Sequence, residues 1–155
     1  MELKRSPMGA PKLVKFPLDD DRAGITRKFE LFGNEEEVYK GYFTINTYAD
    51  GTPGELVISM NKIGGFEHGF STAWAIAVSL LLQYGVDPRE IYAKFKFMEF
   101  EPAGITGVPS VPMAKSLIDL IMKFMEVNFP PTGSRKKEEL DEYETAINSM
   151  STEEK

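Results

Sequence analysis

Three stretches before residue 60 alternate apolar and polar positions with the two-residue period of half-buried strands. Ile25 to Leu31 is the first and Tyr39 to Tyr48, rich in Tyr, Phe, Thr and Ile, the second. Glu55 to Met60 is the third. Asn34 to Glu37 supplies a polar turn, and its Glu35-Glu36-Glu37 run reads as a solvated hairpin end. Asp50-Gly51-Thr52-Pro53-Gly54 is turn chemistry between β-rich runs, which predicts a second hairpin.

Beyond residue 60 the period changes. Ser71 to Tyr84 is apolar nearly all round, which predicts a helix at the centre of the core, covering the sheet and ended by Gly85. Asp87-Pro88-Arg89-Glu90 has the order of a helix start and predicts a short helix to about Phe95. A glycine-containing loop, Glu99 to Gly107, leads to a third helix predicted from Pro112 to about Val127. Its buried stripe would be Met113, Leu117, Leu120, Ile121 and Phe124, with Lys115, Asp119 and Lys123 on an exposed opposite face. Pro130-Pro131-Thr132-Gly133 breaks the chain, and Leu140, Tyr143, Ile147 and Met150 mark a weak stripe in a charged tail. The fold class is α+β in one domain: about three antiparallel strands packed against about three helices, in the order β-β-β-α-α-α. An extended arm (1–21) precedes the domain (22–128), and a tail (129–155) follows it.

Composition narrows the chemistry. The 155 residues carry a formal charge of −6, which argues against nucleic acid as a partner. With no cysteine and one histidine, thiol chemistry, disulfides and His- or Cys-based metal sites are excluded, and no cofactor is expected. The longest apolar run, Ala73 to Leu82, falls far short of the ~20 residues that span a bilayer. A soluble, cytoplasmic chain with no membrane partner is the expectation.

The candidate chemistry lies in Lys62-Ile63-Gly64-Gly65-Phe66-Glu67-His68-Gly69-Phe70-Ser71, which joins the third strand to the apolar helix. Amides at a helix start, approached closely over glycine, make a pocket for an anion such as phosphate. Lys62 would supply charge, Gly64, Gly65 and Gly69 the close approach, and Ser71 a hydroxyl. His68 lies in the same loop, and Thr106 and Lys115 are further candidates. The plainer reading of the glycines is a tight strand-to-helix crossover, and of Ser71 a helix N-cap. Trp74 reads as core rather than a stacking platform, and Gln83 as a donor to loop carbonyls or a contact to a ligand. Glu101 and Asp119 are the carboxylates suited to acid–base work, or, more simply, to an ion pair with Lys115 and contacts to loop amides. No nucleophile–base arrangement accompanies them, and no residue is assigned as catalytic.

A series of short motifs carries a resemblance. Arg27-Lys28-Phe29, Gly41-Tyr42-Phe43-Thr44-Ile45, Asp50 to Leu56, and Met60-Asn61-Lys62 with the glycine loop come first. Ser79 to Val86, Phe100-Glu101-Pro102-Ala103-Gly104-Ile105-Thr106 and Ala114 to Asp119 follow in that order. The series resembles the C-terminal module of adenosylcobalamin-dependent (class II) ribonucleotide reductases, related to the TSCPD domain family, over residues 22–126. The cysteine-containing motif that names that family is absent, and Lys115-Ser116 is followed by Leu117. The radical-bearing barrel and the redox-active tail cysteines of those reductases have no counterpart in these residues. The resemblance therefore implies a non-catalytic module that binds a phosphorylated small molecule such as a nucleotide. The alternative is an interaction module that docks to a separate reductase catalytic subunit or associates with itself through a sheet edge or the 140–150 stripe.

Overall fold

In the computed structural model, which describes residues 13–32, 38–60 and 65–131, the alternating stretches are strands β1 (Gly24–Phe32), β2 (Val38–Thr47) and β3 (Pro53–Met60). They form one antiparallel sheet in the order β1-β2-β3. Phe29 and Leu31, Phe43 and Ile45, and Leu56, Ile58 and Met60 are buried, as a two-residue period requires. Gly41 lies opposite Phe29, and a Cβ there would stand 2.4 Å from Ser59 O and 3.0 Å from the Phe29 ring, so only glycine lets that ring cross the neighbouring strand.

The helices follow as α1 (Phe66–Gln83), α2 (Pro88–Phe95) and α3 (Leu117–Asn128). The Asp87 carboxylate accepts from Arg89 N–H at 2.9 Å and Pro88 opens α2, as expected. Gly85 adopts φ +81° after α1, the left-handed turn that glycine takes without strain.

Two expectations are corrected. The stretch read as a second loop and the start of a third helix is a hairpin, β4 (Gly104–Val108) and β5 (Val111–Ala114), entered through a cis Glu101–Pro102 peptide. Pro112 therefore sits in a strand, Met113 is 64% exposed, and α3 starts only after Ser116. The Ser116 hydroxyl accepts from Asp119 N–H at 3.0 Å and donates to Met98 O at 2.6 Å, a cap that fixes where α3 begins. The element order is β-β-β-α-α-β-β-α.

The second correction concerns the centre of the core. That place belongs to α3, which buries Leu117, Leu120, Ile121, Met122, Phe124 and Met125. The Phe124 ring meets Phe43 edge-on at 5.0 Å, and Phe43 stacks on Phe29. By contrast α1 buries only Ala75, Val78, Ser79 and Leu82. It lies along the outer edge of β3, where the Ser79 hydroxyl accepts from Leu56 N–H at 2.9 Å and stands 3.1 Å from Leu56 O. Gln83 Nε2 donates to Gly54 O at 3.0 Å, the loop-carbonyl role expected of it. Two polar side chains thus replace a fourth strand at these groups and blunt that edge for strand pairing. On the other side β4 lies against β1, with Arg27 Nη2 donating to Gly107 O. Residues 13–23 of the arm have no regular structure but are tied down by Phe16 N–H to Gln83 O and Tyr48 hydroxyl to Phe16 O. Glu35-Glu36-Glu37, the 140–150 stripe and residues 1–12 lie outside the described residues.

Candidate functional site

Of the glycine stretch, Lys62, Ile63 and Gly64 lie outside the described residues, and Phe66 to Ser71 are already helical, five residues earlier than the sequence indicates. Gly65 is the N-cap of α1, in extended backbone and without a side-chain cap, so His68, Gly69 and Ser71 are residues of the helix itself. Ser71 is no cap: its hydroxyl donates to Glu67 O one turn back and lies 3.7 Å from Met60 Sδ. Gly69 closes a helical turn onto Gly65 O and has open space where a Cβ would stand. Glu67 places a carboxylate in the first turn, which opposes an anion there. Phe66 and Phe70, 78% and 62% exposed, form a tilted ring pair at 5.3 Å on the outer side. Thr106 is fully buried in the β4–β5 hairpin, where its hydroxyl donates to Val111 O and accepts from Val108 N–H. Among the described residues, His68, Gly69 and Ser71 thus belong to α1, whereas Thr106 is committed to partners inside the hairpin.

A different constellation surrounds Phe97, just beyond α2. Its backbone is left-handed (φ 69°), an unusual conformation for an aromatic residue, and its ring is 57% exposed. Three ammonium groups approach that ring: Lys123 Nζ at 4.9 Å, Lys96 Nζ at 5.2 Å and Lys115 Nζ at 6.0 Å from its centroid. Lys96 comes from the end of α2, Lys115 from the β5–α3 connection and Lys123 from α3.

What gathers them is Asp119. Far from lying on an exposed face, this carboxylate is 0% exposed; it accepts from Phe97 N–H at 2.7 Å, Lys115 N–H at 2.8 Å and Lys123 Nζ at 2.7 Å. Burial pushes its pKa up, but these donors outweigh burial and hold the carboxyl below the usual range. The ion pair runs to Lys123, whereas Lys115 contributes its backbone amide. Lys96 is paired with Glu126 at 2.6 Å, and the Lys115 ammonium has no carboxylate partner among the described residues. Ser116 and Asp119 are the two ends of one cap, so the helix start, the connection and the residue after α2 are locked together.

Sequence reading places Lys115, Asp119 and Lys123 on one helix face and misses Phe97 and Lys96. The available signal was Lys96-Phe97 directly after the short helix, one cation beside one aromatic with nothing in the pattern to bury it. Trp74, half-buried, meets Phe95 edge-on at 5.7 Å, and its Nε1 finds no acceptor among the described residues. Among the described residues no group of His, Asp or Glu side chains could hold a metal, and no helix is long and apolar enough to cross a membrane.

The model of the TSCPD domain matches residues 20–129, which include both sheets, α1, α2 and α3, and the Phe97 patch. The chain belongs to the TSCPD domain family. It is 41% identical over 122 residues to a vitamin B12-dependent ribonucleotide reductase of Streptantibioticus cattleyicolor, a match covering 79% of this chain and 20% of that protein. The corresponding enzyme of Rhodopirellula baltica is 37% identical over 112 residues, 72% of this chain and 10% of that one. That of Agrobacterium fabrum is 34% identical over 113 residues, again 72% of this chain and 8% of its own. The TSCPD chain thus spans a fifth or less of the length of these relatives, and no solved structure matches it.

Proposed function

We propose that this TSCPD-family chain is a non-catalytic binding module for a phosphorylated small molecule, a nucleotide by chemistry, held at the Phe97 patch. The observation that carries the reading is the convergence of Lys96, Lys115 and Lys123 on one half-exposed ring. A planar base stacks on such a ring, and phosphate oxygens draw on adjacent ammonium groups. Lys115, an original candidate, is the cation best free to meet phosphate. The glycine stretch contributes less, because Glu67 guards the start of α1. Catalysis is not part of the proposal: the chain has no cysteine, and both oxygens of Asp119 are committed to donors.

Calorimetry with a nucleoside diphosphate, the matching nucleoside and inorganic phosphate tests this. The diphosphate should bind more tightly than either fragment and weaken with added salt. Phe97→Gly, which suits the left-handed backbone, and Lys115→Gln should each abolish or strongly weaken binding. An absence of heat with every nucleotide refutes the proposal.

A second reading draws on the comparisons. In its relatives the matching segment is a minor part of a longer reductase chain, which supports a module that docks to a reductase polypeptide. Gel filtration with a vitamin B12-dependent ribonucleotide reductase truncated before its matching segment tests this; failure to co-elute discards it.

A further inference from the structure

The outer face of α1 is anomalous for a surface helix. Glu67 is the sole Asp, Glu, Lys or Arg among its eighteen residues, and the side turned from β3 presents Phe66, Phe70, Ala73, Ala77 and Leu80, continuing into Tyr84 at the C-cap. All six are exposed. Their spacing alternates four and three residues, the seam of a helix that packs against another helix. The buried side of α1, by contrast, is narrow and partly polar, and Ser79 and Gln83 are spent on the β3 edge.

The seam is also symmetric. Ala73 and Ala77 lie two residues to either side of Ala75, Phe70 and Leu80 five, and Phe66 and Tyr84 nine. Along the seam small residues occupy the middle and large ones both ends, and exposed Ile76 and Leu81 flank it on its two sides. An antiparallel second copy of the same helix would set Ala73 against Ala77, Phe70 against Leu80 and Phe66 against Tyr84 at every position at once. The spacing alone imposes the equal offsets, but not the match of small residue against small and large against large, which a closed two-fold pair needs and a foreign partner would not require. Glu67 then falls near Gln83 of the other copy, with no like charge opposing it.

We infer that this face is the two-fold interface of a homodimer, formed by antiparallel pairing of α1 across Ala73 and Ala77. The inference is independent of the nucleotide reading, because it uses none of the residues around Phe97. Eighteen residues of helix extend about 27 Å. A two-helix contact of that length is smaller than the roughly 800 Å² per partner of a standard interface, so the dimer should be concentration-dependent.

Sedimentation velocity on the full chain over a dilution series tests this, with far-UV circular dichroism as a check on folding. Wild type should move from monomer to dimer as concentration rises. Leu80→Glu, at an exposed position, should retain its helical signal and raise the dissociation constant by at least about thirtyfold. Because the chain has no cysteine, single-cysteine variants report register. A mixture of Phe70→Cys and Leu80→Cys should oxidise to a mixed disulfide dimer. Phe70→Cys alone should not, since antiparallel pairing offsets the two copies of residue 70 by about 15 Å along the axis. A monomer at every concentration, a dimer indifferent to Leu80→Glu, or efficient Phe70→Cys self-linkage would each overturn the inference. So would a monomer that uses this stripe to bind a reductase polypeptide instead.

Discussion

Replacing Asp119 by alanine is the perturbation that reaches furthest into this molecule. The carboxylate joins Phe97, twenty-two residues away and just beyond α2, to the β5–α3 connection and the second turn of α3. Its removal leaves the Phe97 and Lys115 N–H groups without an acceptor, at about 1–3 kcal/mol each. The Lys123 ammonium, 24% exposed, regains water and adds little. The expected loss is about 3–5 kcal/mol, the size seen when one member of a buried charged pair is deleted. At roughly 3 °C per kcal/mol for a chain of this size, the melting temperature should fall by about 9–15 °C. Urea unfolding and calorimetric melts of the full chain measure it. Phe97 holds its left-handed backbone partly through this bond, so adding Phe97→Gly should return about 1 kcal/mol in the Asp119→Ala background. A loss below about 1 kcal/mol from Asp119→Ala would show that the carboxylate does not organise these segments.

The remaining predictions concern smaller pieces of the same structure. The Asp119 pKa is depressed on folding, so its stabilisation is complete above the unfolded aspartate value of about 3.9 and is lost as pH falls through the lower folded value. The gap in unfolding free energy between wild type and Asp119→Asn should therefore narrow in strong acid; a gap that stays constant contradicts the assignment. Ser79→Ala should destabilise by about 1–3 kcal/mol in urea, because Leu56 N–H at the β3 edge loses its acceptor. Thr106→Val should cost a similar amount by the same assay, leaving Val108 N–H unpaired, while nucleotide affinity stays at the wild-type value. Phe97→Gly alone should leave the melting temperature unchanged or slightly raised; a large drop would mean that the ring supports the fold rather than a ligand.

How much of this was legible beforehand depends on the range of the interaction concerned. The three strands, the turn at Gly51, the Asp87-Pro88 start and the Gly85 stop follow from local periodicity and turn residues, and they lie within a residue or two of their expected bounds. Pro112 misled because proline suits the first turn of a helix as well as an edge strand. The choice was made by pairing with β4 and by the Ser116 cap, both close by in sequence, but a helical period counts apolar spacing and weighs neither strand pairing nor which hydroxyl closes the cap. For Asp119 the expected contacts to loop amides hold, while its exposed face and its ion pair with Lys115 do not: a four-residue charge spacing looks the same whether the middle carboxylate meets water or the backbone of a loop twenty-two residues away.

Sequence by itself determined the α+β class, the strand period, the helix signals and the exclusion of thiol chemistry, because each depends on neighbours a few residues apart or on composition alone. Tertiary structure decided which helix is central, since α1 and α3 are both apolar and only packing shows that α3 fills the core while α1 borders β3. It also decided the site. Lys96, Phe97, Lys115 and Lys123 meet only because a buried carboxylate draws their backbones together, and no local pattern encodes where that carboxylate points.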